Sequence, residues 1–467
     1  MNGSGPLFAA SAAELGALYR SGAATPVEVL HAVLARIAAW EPHLHATYAL
    51  HADDALAQAS ASQARWQRGA ALGPLDGVPV TIKENIATNG VPIPLGTAAS
   101  VLTPAERDAP PAQRLREAGA VIVCKTTMPD YGMLSSGLSS FHALTRNPWD
   151  LSKGPGGSSA GAGAGAAAGY GPLHLGTDIG GSIRLPAGWC GIVGFKPSHG
   201  RIPIDPPYAG RVAGPMARSV ADCALAMRIL SLTDTRDATR LAWQDIAWDR
   251  LERDPKGLRI GLLMDAGWGL PTDRQVTDAV RDAASAFERA GAIVEPIAPF
   301  MTRAMADGMD DFWRTRAWLD IAALPDERRA KVLPFIVEWA RAGAGLSGER
   351  VFKGFSQMAT MRDAAVRACE PFDAVLSPTA PIAAFRAELA SPTDDPARPF
   401  EHIAFTLPYN MSEQPAVSIN CGYTDAGLPI GLQIAGRRFD DLGVLQIGRL
   451  WERLRSPQRH WPEPPGA

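Results

Sequence analysis

Short apolar segments rich in β-branched residues alternate with helical segments along most of the chain. Strands are predicted at 78–83, 120–124, 258–264, 292–295 and 374–377. Amphipathic helices lie between them, and the clearest runs over 272–290 and stops at Gly291. This alternation is typical of an α/β fold, in which helices cover both faces of a central sheet. We therefore expect a mixed, mostly parallel, twisted sheet between two helical layers.

Two regions depart from the alternation. About 1–70 is predicted to form N-terminal helices, and Thr25-Pro26 has the capping residue and first-turn proline that open a helix. About 300–355 is also helical in pattern and contains Trp313 among several aromatic residues. These side chains either pack within a helical layer or line a pocket for a substrate. Because no polar linker divides the chain, one large domain over 1–467 is predicted.

Composition excludes several functional classes. The net charge of −3 gives no basic surface for nucleic acid or an anionic membrane. Five dispersed cysteines argue against a disulfide framework or a structural zinc site. Neither a signal peptide nor an apolar span is apparent, so a cytoplasmic location is expected. No cofactor and no metal are predicted.

Two Gly-Gly-Ser triplets, at 156–158 and 180–182, lie in a stretch dense in small residues. Close packing explains small residues at 161–169, but it does not explain two separate triplets. Glycine before serine permits unusual backbone conformations and leaves amide N–H groups open, which an oxyanion hole requires. A serine also needs a base to remove its proton. Lys83 ends an apolar strand and can serve as that base if burial keeps it uncharged.

These motifs resemble the amidase signature family. Its pattern is a lysine after an apolar strand, a Gly-Gly-Ser-Ser loop, and a Gly-Gly-Ser followed by an apolar residue and arginine. The chain supplies Lys83, 156–159 and 180–184 at separations that also agree. Further similar segments, at 194–197, 214–216 and 428–433, extend the resemblance over roughly residues 10–455.

The resemblance implies a role for each matching residue. Ser182 attacks the carbonyl carbon, Ser158 (after a cis peptide bond) shuttles the proton, and Lys83 is the base. The oxyanion is held by the backbone N–H groups of Ile179, Gly180, Gly181 and Ser182. Supporting roles fall to Thr177, Asp178, Arg184 and Ser159. The substrate pocket is expected to include Tyr131, Gly132, Met133, Ser135 and Trp313.

The main functional prediction is an amidohydrolase that cleaves a small-molecule carboxylic amide, anilide or carbamate through an acyl-Ser182 intermediate. Its expected partners are the amide and water, without nucleic acid or membrane, and a homodimer is left open. One alternative is the glutaminase subunit of a tRNA-dependent amidotransferase. Such subunits usually carry a longer, Tyr-rich segment where this chain has the short stretch 198–212, which favours a free-standing amidase. A second alternative is a non-catalytic, amidase-like scaffold.

Two other interpretations rest on partial motifs. The stretch 157–161 fits the Gly-x-Ser-x-Gly elbow of α/β-hydrolases, with Ser159 as nucleophile, but no strand precedes it. His174 and His199 also lack an evident acidic partner. The stretch 161–166 imitates a dinucleotide fingerprint, without the preceding strand or the acidic residue that such a site needs.

Overall fold

The computed structural model describes residues 5–466, and within them one 11-stranded sheet forms the centre of the molecule. The strands are β1 (Thr47–Tyr48), β2 (Pro79–Lys83), β3 (Val121–Thr126), β4 (Leu173–Asp178), β5 (Val193–Lys196), β6 (Val212–Ala217), β7 (Arg259–Leu262), β8 (Ile293–Pro296), β9 (Ala374–Pro378), β10 (Ala416–Tyr423) and β11 (Pro429–Ala435). The helices are α1 (Ala12–Ser21), α2 (Pro26–Leu44), α3 (Ala52–Gln67), α4 (Pro110–Glu117), α5 (Ala160–Ala168), α6 (Arg184–Cys190), α7 (Val220–Leu230), α8 (Arg274–Arg289), α9 (Arg303–Ala322), α10 (Asp326–Arg329), α11 (Pro334–Arg341), α12 (Gly348–Cys369), α13 (Leu407–Met411) and α14 (Asp441–Leu454).

The strands follow the order β1-β3-β2-β4-β6-β5-β10-β11-β9-β7-β8. The α/β class and the mixed sheet are thus confirmed. The parallel pairs are β2 with β3 and β4, and β7 with β8 and β9. The remaining pairs, including all those of β5, β6, β10 and β11, are antiparallel. The expected parallel pairing therefore occurs only toward the two ends of the sheet, among β3, β2 and β4 and among β9, β7 and β8. The sequence did not predict the antiparallel centre, because strand direction depends on partners that are remote in sequence.

Helices cover both faces of the sheet. Successive side chains of β3 point to opposite faces of the sheet. On one face, Ile122 belongs to a core that α4, α7, α8 and α14 cover. On the other face, Val121 and Val123 belong to a core that α2, α3 and α5 cover. On this second side α9, α11 and α12 add a further helical layer, in which Trp313 and Trp339 are buried. Within residues 5–466 no helix is long and apolar enough to cross a bilayer.

The small residues of α5 allow it to approach the neighbouring backbone. All nine residues of Ala160–Ala168 are buried. A Cβ on Gly161 would come within 2.1 Å of the Ala46 carbonyl oxygen, so no larger residue fits there. The N-terminus of α5 is thereby held beside β2 and β4, whose parallel carboxyl ends meet at one edge of the sheet.

Candidate active site

Lys83 is the last residue of β2 and its side chain is completely buried. Its Nζ lies 2.7 Å from the Ser158 Oγ, 3.1 Å from the Ser159 Oγ and 3.1 Å from the Thr177 Oγ1. Asn85 donates a hydrogen bond of 3.1 Å to the same Thr177 oxygen. Three hydroxyls thus surround the amine, and all three come from the carboxyl end of β4 or the N-terminus of α5.

This environment favours the uncharged amine. Burial, with a smaller contribution from the Arg211 cation, lowers the pKa of Lys83 to about 7, although the carboxylates of Asp178 and Glu84 act in the opposite direction. Burial disfavours an ammonium because water no longer solvates it. Lys83 can therefore accept a proton near neutral pH.

Ser158 and Ser182 both line a cavity of about 650 Å³. The peptide bond between Gly157 and Ser158 is cis, and Ser158 is buried at the cavity floor. Ser182 is half-buried and precedes α6. Within residues 5–466 its hydroxyl has no hydrogen-bond partner, so it is free to rotate. Catalytic hydrogen bonds commonly tighten only when substrate binds.

The turn that connects β4 to α6 presents backbone N–H groups to the same cavity. In the part of the chain that the structure describes, the N–H groups of Ile179, Gly180 and Ser182 have no acceptor. The N–H of Gly181 differs, because it donates to the Asp178 carboxylate at 2.8 Å. Gly181 also has a φ of 126°, which favours glycine. Three of the four predicted oxyanion donors are therefore available.

A buried ion pair fixes this turn. The Arg184 guanidinium donates to both carboxylate oxygens of Asp178, at 3.0 and 2.9 Å, and further donates to Gln433, Asn410 and the Thr406 carbonyl. Burial alone would raise the pKa of Asp178, but the Arg184 cation outweighs it and holds the pKa of this carboxyl well below its usual range. Asp178 and Arg184 thus shape the loop, while neither is free to act as an acid or base.

The structure brings the predicted residues together. The expected substrate-pocket residues all line the cavity: Tyr131, Gly132, Met133, Ser135 and Trp313. Trp313 comes from α9, so the helical segment near 300–355 contributes to the pocket wall.

Several residues of the site were missed in the sequence. Arg211, Arg316, Tyr208 and Asp320 also line the cavity. Arg316 is close in sequence to Trp313, but no local pattern shows that it turns toward the pocket. Asn85, two residues after Lys83, is another member of the site.

The partial motifs do not form sites of their own. Ser159 bonds to Lys83 and to the Thr177 backbone rather than to a histidine. His174 bonds to Thr81 inside the sheet. The stretch 161–166 is an interior part of α5, not a phosphate-binding loop. Among residues 5–466, no cluster of three or more His, Cys, Asp or Glu side chains could hold a metal ion.

Comparisons with known proteins cover nearly the whole chain. The family model "Amidase" matches residues 28–445. One glutamyl-tRNA(Gln) amidotransferase subunit, from Myxococcus xanthus, is 35% identical over 94% of this chain and 96% of its own. The corresponding amidotransferase subunit of Roseiflexus castenholzii is 34% identical over 98% of both chains. Among solved structures, a bacterial aryl acylamidase of the amidase signature family has a TM-score of 0.87, at 29% identity over 96% of this chain and 97% of its own.

These relatives overturn the main functional prediction. The small-molecule amidohydrolase was preferred because the stretch 198–212 is short, but the relatives carry the name of the alternative, an amidotransferase subunit. Loop length is weak evidence because loops accept changes in length at little cost to the fold. Charged side chains line the cavity beside the apolar ones, among them Arg211, Arg316 and Asp320.

The predicted partners are wrong for the same reason. A small-molecule amide and water, without nucleic acid, were expected, yet the relatives are named as one subunit of an enzyme for glutamyl-tRNA(Gln). The net charge of −3 did not exclude this, because one subunit of a larger enzyme need not bind the nucleic acid itself. The match over residues 28–445, together with the amidase signature structure that superposes on the fold, establishes that this chain belongs to the amidase family.

Proposed function

We propose that the chain hydrolyses a carboxamide through an acyl-enzyme on Ser182, with Ser158 as proton shuttle and Lys83 as base. One observation carries this proposal: the Lys83 Nζ lies 2.7 Å from the Ser158 hydroxyl, at the floor of the cavity that Ser182 lines. A lysine with a pKa of about 7 can take that proton at neutral pH. A neutral Lys83 also avoids leaving an unpaired charge in the buried site.

The proton would move along a chain of hydroxyls. As the Ser182 oxygen attacks the amide carbon, its proton passes to Ser158, while the Ser158 proton passes to Lys83. The C–N bond then breaks, and the leaving nitrogen takes a proton back from Lys83 through Ser158. A water molecule uses the same route to hydrolyse the acyl-Ser182 ester. Ser159 and Thr177 keep the amine directed at Ser158 by accepting its other hydrogen bonds.

The turn after β4 would stabilise the developing oxyanion. The N–H groups of Ile179, Gly180 and Ser182 supply the donors, whereas Gly181 holds the turn to Asp178. Thr406 supports the same turn by donating to the Gly180 carbonyl at 2.6 Å. Preorganised donors of this kind lower the barrier by about 3–4 kcal/mol each.

We infer that the amide is the side-chain amide of glutamine and that the released ammonia serves an amidotransferase. The relatives at 34–35% identity are glutamyl-tRNA(Gln) amidotransferase subunits, and they are matched over nearly their whole length. The cavity suits an amino acid because both cationic and anionic side chains line it, among them Arg316 and Asp320. Another protein of the amidotransferase would then bind the aminoacylated tRNA and consume the ammonia.

The test is ammonia release from L-glutamine by the purified chain, alone and with lysate fractions from its source that could supply the other proteins of an amidotransferase. Ser182→Ala should abolish release, because the variant lacks the nucleophilic hydroxyl. Ser62→Ala is a matched control, since Ser62 is fully buried and its hydroxyl has no partner within residues 5–466. A fluorophosphonate should label Ser182 in the parent protein.

The outcomes separate the two parts of the proposal. Labelling of Ser182 without ammonia release under any condition would refute glutamine as the substrate. Absence of labelling would refute the nucleophile and favour a non-catalytic scaffold. Glutamine turnover that persists in Ser182→Ala would refute the mechanism itself.

A further inference from the structure

Two arginines from remote parts of the chain line the cavity that contains Ser158 and Ser182. Arg211 immediately precedes β6, and Arg316 lies on α9. Within residues 5–466, neither guanidinium forms a salt bridge with an aspartate or a glutamate. Two cations from remote segments thus line one pocket, and neither is engaged in an ion pair within the described residues.

Their remaining contacts are weak substitutes for a carboxylate. Arg211 donates to the Pro206 carbonyl at 3.3 Å, and the Arg316 guanidinium lies 4.3 Å from the centre of the Tyr208 ring. Burial, and to a smaller extent repulsion by the neighbouring Arg316 cation, lowers the pKa of Arg211. A cation–π contact contributes about 0.5–2 kcal/mol, which does not replace an ion pair.

Arg211 is half-buried and Arg316 is exposed at the cavity, whereas two other arginines, Arg184 and Arg201, are buried. Arg184 is paired with Asp178 at 2.9 Å, and Arg201 is paired with Asp441 at 3.0 Å. These two buried guanidinium groups are neutralised, as physical chemistry requires of buried charges. The cavity pair lacks such neutralisation, although a planar guanidinium is well suited to a carboxylate.

We propose that Arg211 and Arg316 form an anion subsite that binds the carboxylate of the substrate while its amide reaches Ser182. This inference rests on the proposed hydrolysis at Ser182 and specifies its substrate class: an amide that also carries a free carboxylate. Asp320 lies one turn after Arg316, lines the same cavity, and forms no salt bridge within residues 5–466. It is placed to accept an α-ammonium group, so the charged groups together match an α-amino acid.

The first experiment measures binding without catalysis. Calorimetry on the Ser182→Ala protein gives the Kd of L-glutamate, the acid that hydrolysis of glutamine would leave. Adding Arg211→Gln or Arg316→Gln should each raise that Kd by about 10- to 100-fold, the usual loss for a hydrogen bond to a charged group. Arg341→Gln removes the same charge from an exposed position on α11 and should leave the Kd unchanged.

The second experiment compares substrates in the Ser182 protein. The parent protein should prefer L-glutamine over its α-methyl ester, which has the same amide but no carboxylate. The variants Arg211→Gln and Arg316→Gln should lose that preference, because each raises the KM of glutamine. If glutamine is hydrolysed with KM values that neither variant changes, the subsite is refuted and the proposed function stands. If glutamate binding depends on both arginines while no ammonia forms, the subsite stands and glutamine hydrolysis is refuted. No saturable binding of glutamate would also refute the subsite.

Discussion

In the proposed mechanism, the titration of Lys83 sets the pH range in which the amide is hydrolysed. With a pKa of about 7, roughly 0.9 of Lys83 is neutral at pH 8, about 0.1 at pH 6 and about 0.01 at pH 5. Only the neutral amine accepts a proton, so kcat/KM should fall about tenfold per pH unit below pH 7. A lysine with the ordinary value of 10.5 would instead give a rate that still rises above pH 9.

The assay is kcat/KM for ammonia release between pH 5 and pH 10, because this ratio reports groups of the free enzyme. Arg211→Gln removes a cation that lowers the pKa of Lys83, so its acid limb should shift to higher pH. His142→Gln is the control. The His142 Nε2 lies 2.7 Å from a carboxylate oxygen of Glu84, the residue after Lys83, and this variant should keep the acid limb of the kcat/KM profile near pH 7. His402 does not interfere, because burial lowers its pKa to about 3.

Two results would contradict this account. A flat profile down to pH 5 would mean that no neutral lysine is needed. A limb near pH 7 that disappears in His142→Gln would assign the titration to the histidine instead. An unchanged limb in Arg211→Gln would refute the electrostatic link between Arg211 and Lys83, while it would leave the lysine as base.

Three further predictions concern stability and geometry. Lys83→Met should raise the free energy of unfolding at pH 6, because the drop in pKa from 10.5 to about 7 costs up to about 5 kcal/mol and three lost hydrogen bonds return about 3. The charge penalty shrinks as the pH rises above 7, so the gain should reach zero at about pH 8 and become a loss at higher pH, as chemical denaturation can measure. Gly181→Ala should lower kcat by about 100-fold, because its φ is 126° and a Cβ would lie 2.6 Å from the Thr406 Oγ1. Asp178→Leu should cost about 3–5 kcal/mol in urea denaturation, because Arg184 is left charged and buried.

The sequence predicted the local parts of the fold better than its long-range pairing. The apolar run that ends at Lys83 is a buried strand, and Thr25 caps α2 as its motif indicated. Such features depend on neighbours in the chain. The antiparallel centre of the sheet was not predicted, because β5 pairs with β10 across more than 200 residues and nothing local specifies that direction.

The same distinction applies to the site. Lys83 and Ser158 carry a recognisable motif, and the structure places them in contact. Arg211 and Arg316 carry none, since one follows a loop and the other is a single helical position whose orientation depends on packing. The hydrogen bond that the Gly181 N–H donates to the Asp178 carboxylate could not be predicted either, because a motif gives residue types and not the direction in which an amide points.

Lys125 shows why burial alone does not make a lysine a base. It lies on β3 beside Ile82, and burial lowers its pKa to about 7, as it does for Lys83. In register, however, Lys83 is opposite Thr126, so the two lysines differ by one strand position and point to opposite faces of the sheet. Lys125 bonds to the Ile86 carbonyl and to the Thr88 hydroxyl, and Thr88 does not line the cavity that contains Ser158 and Ser182. Lys83 bonds to the Ser158 hydroxyl, which lines that cavity, and this contact is what lets the buried amine act as the base in the proposed mechanism.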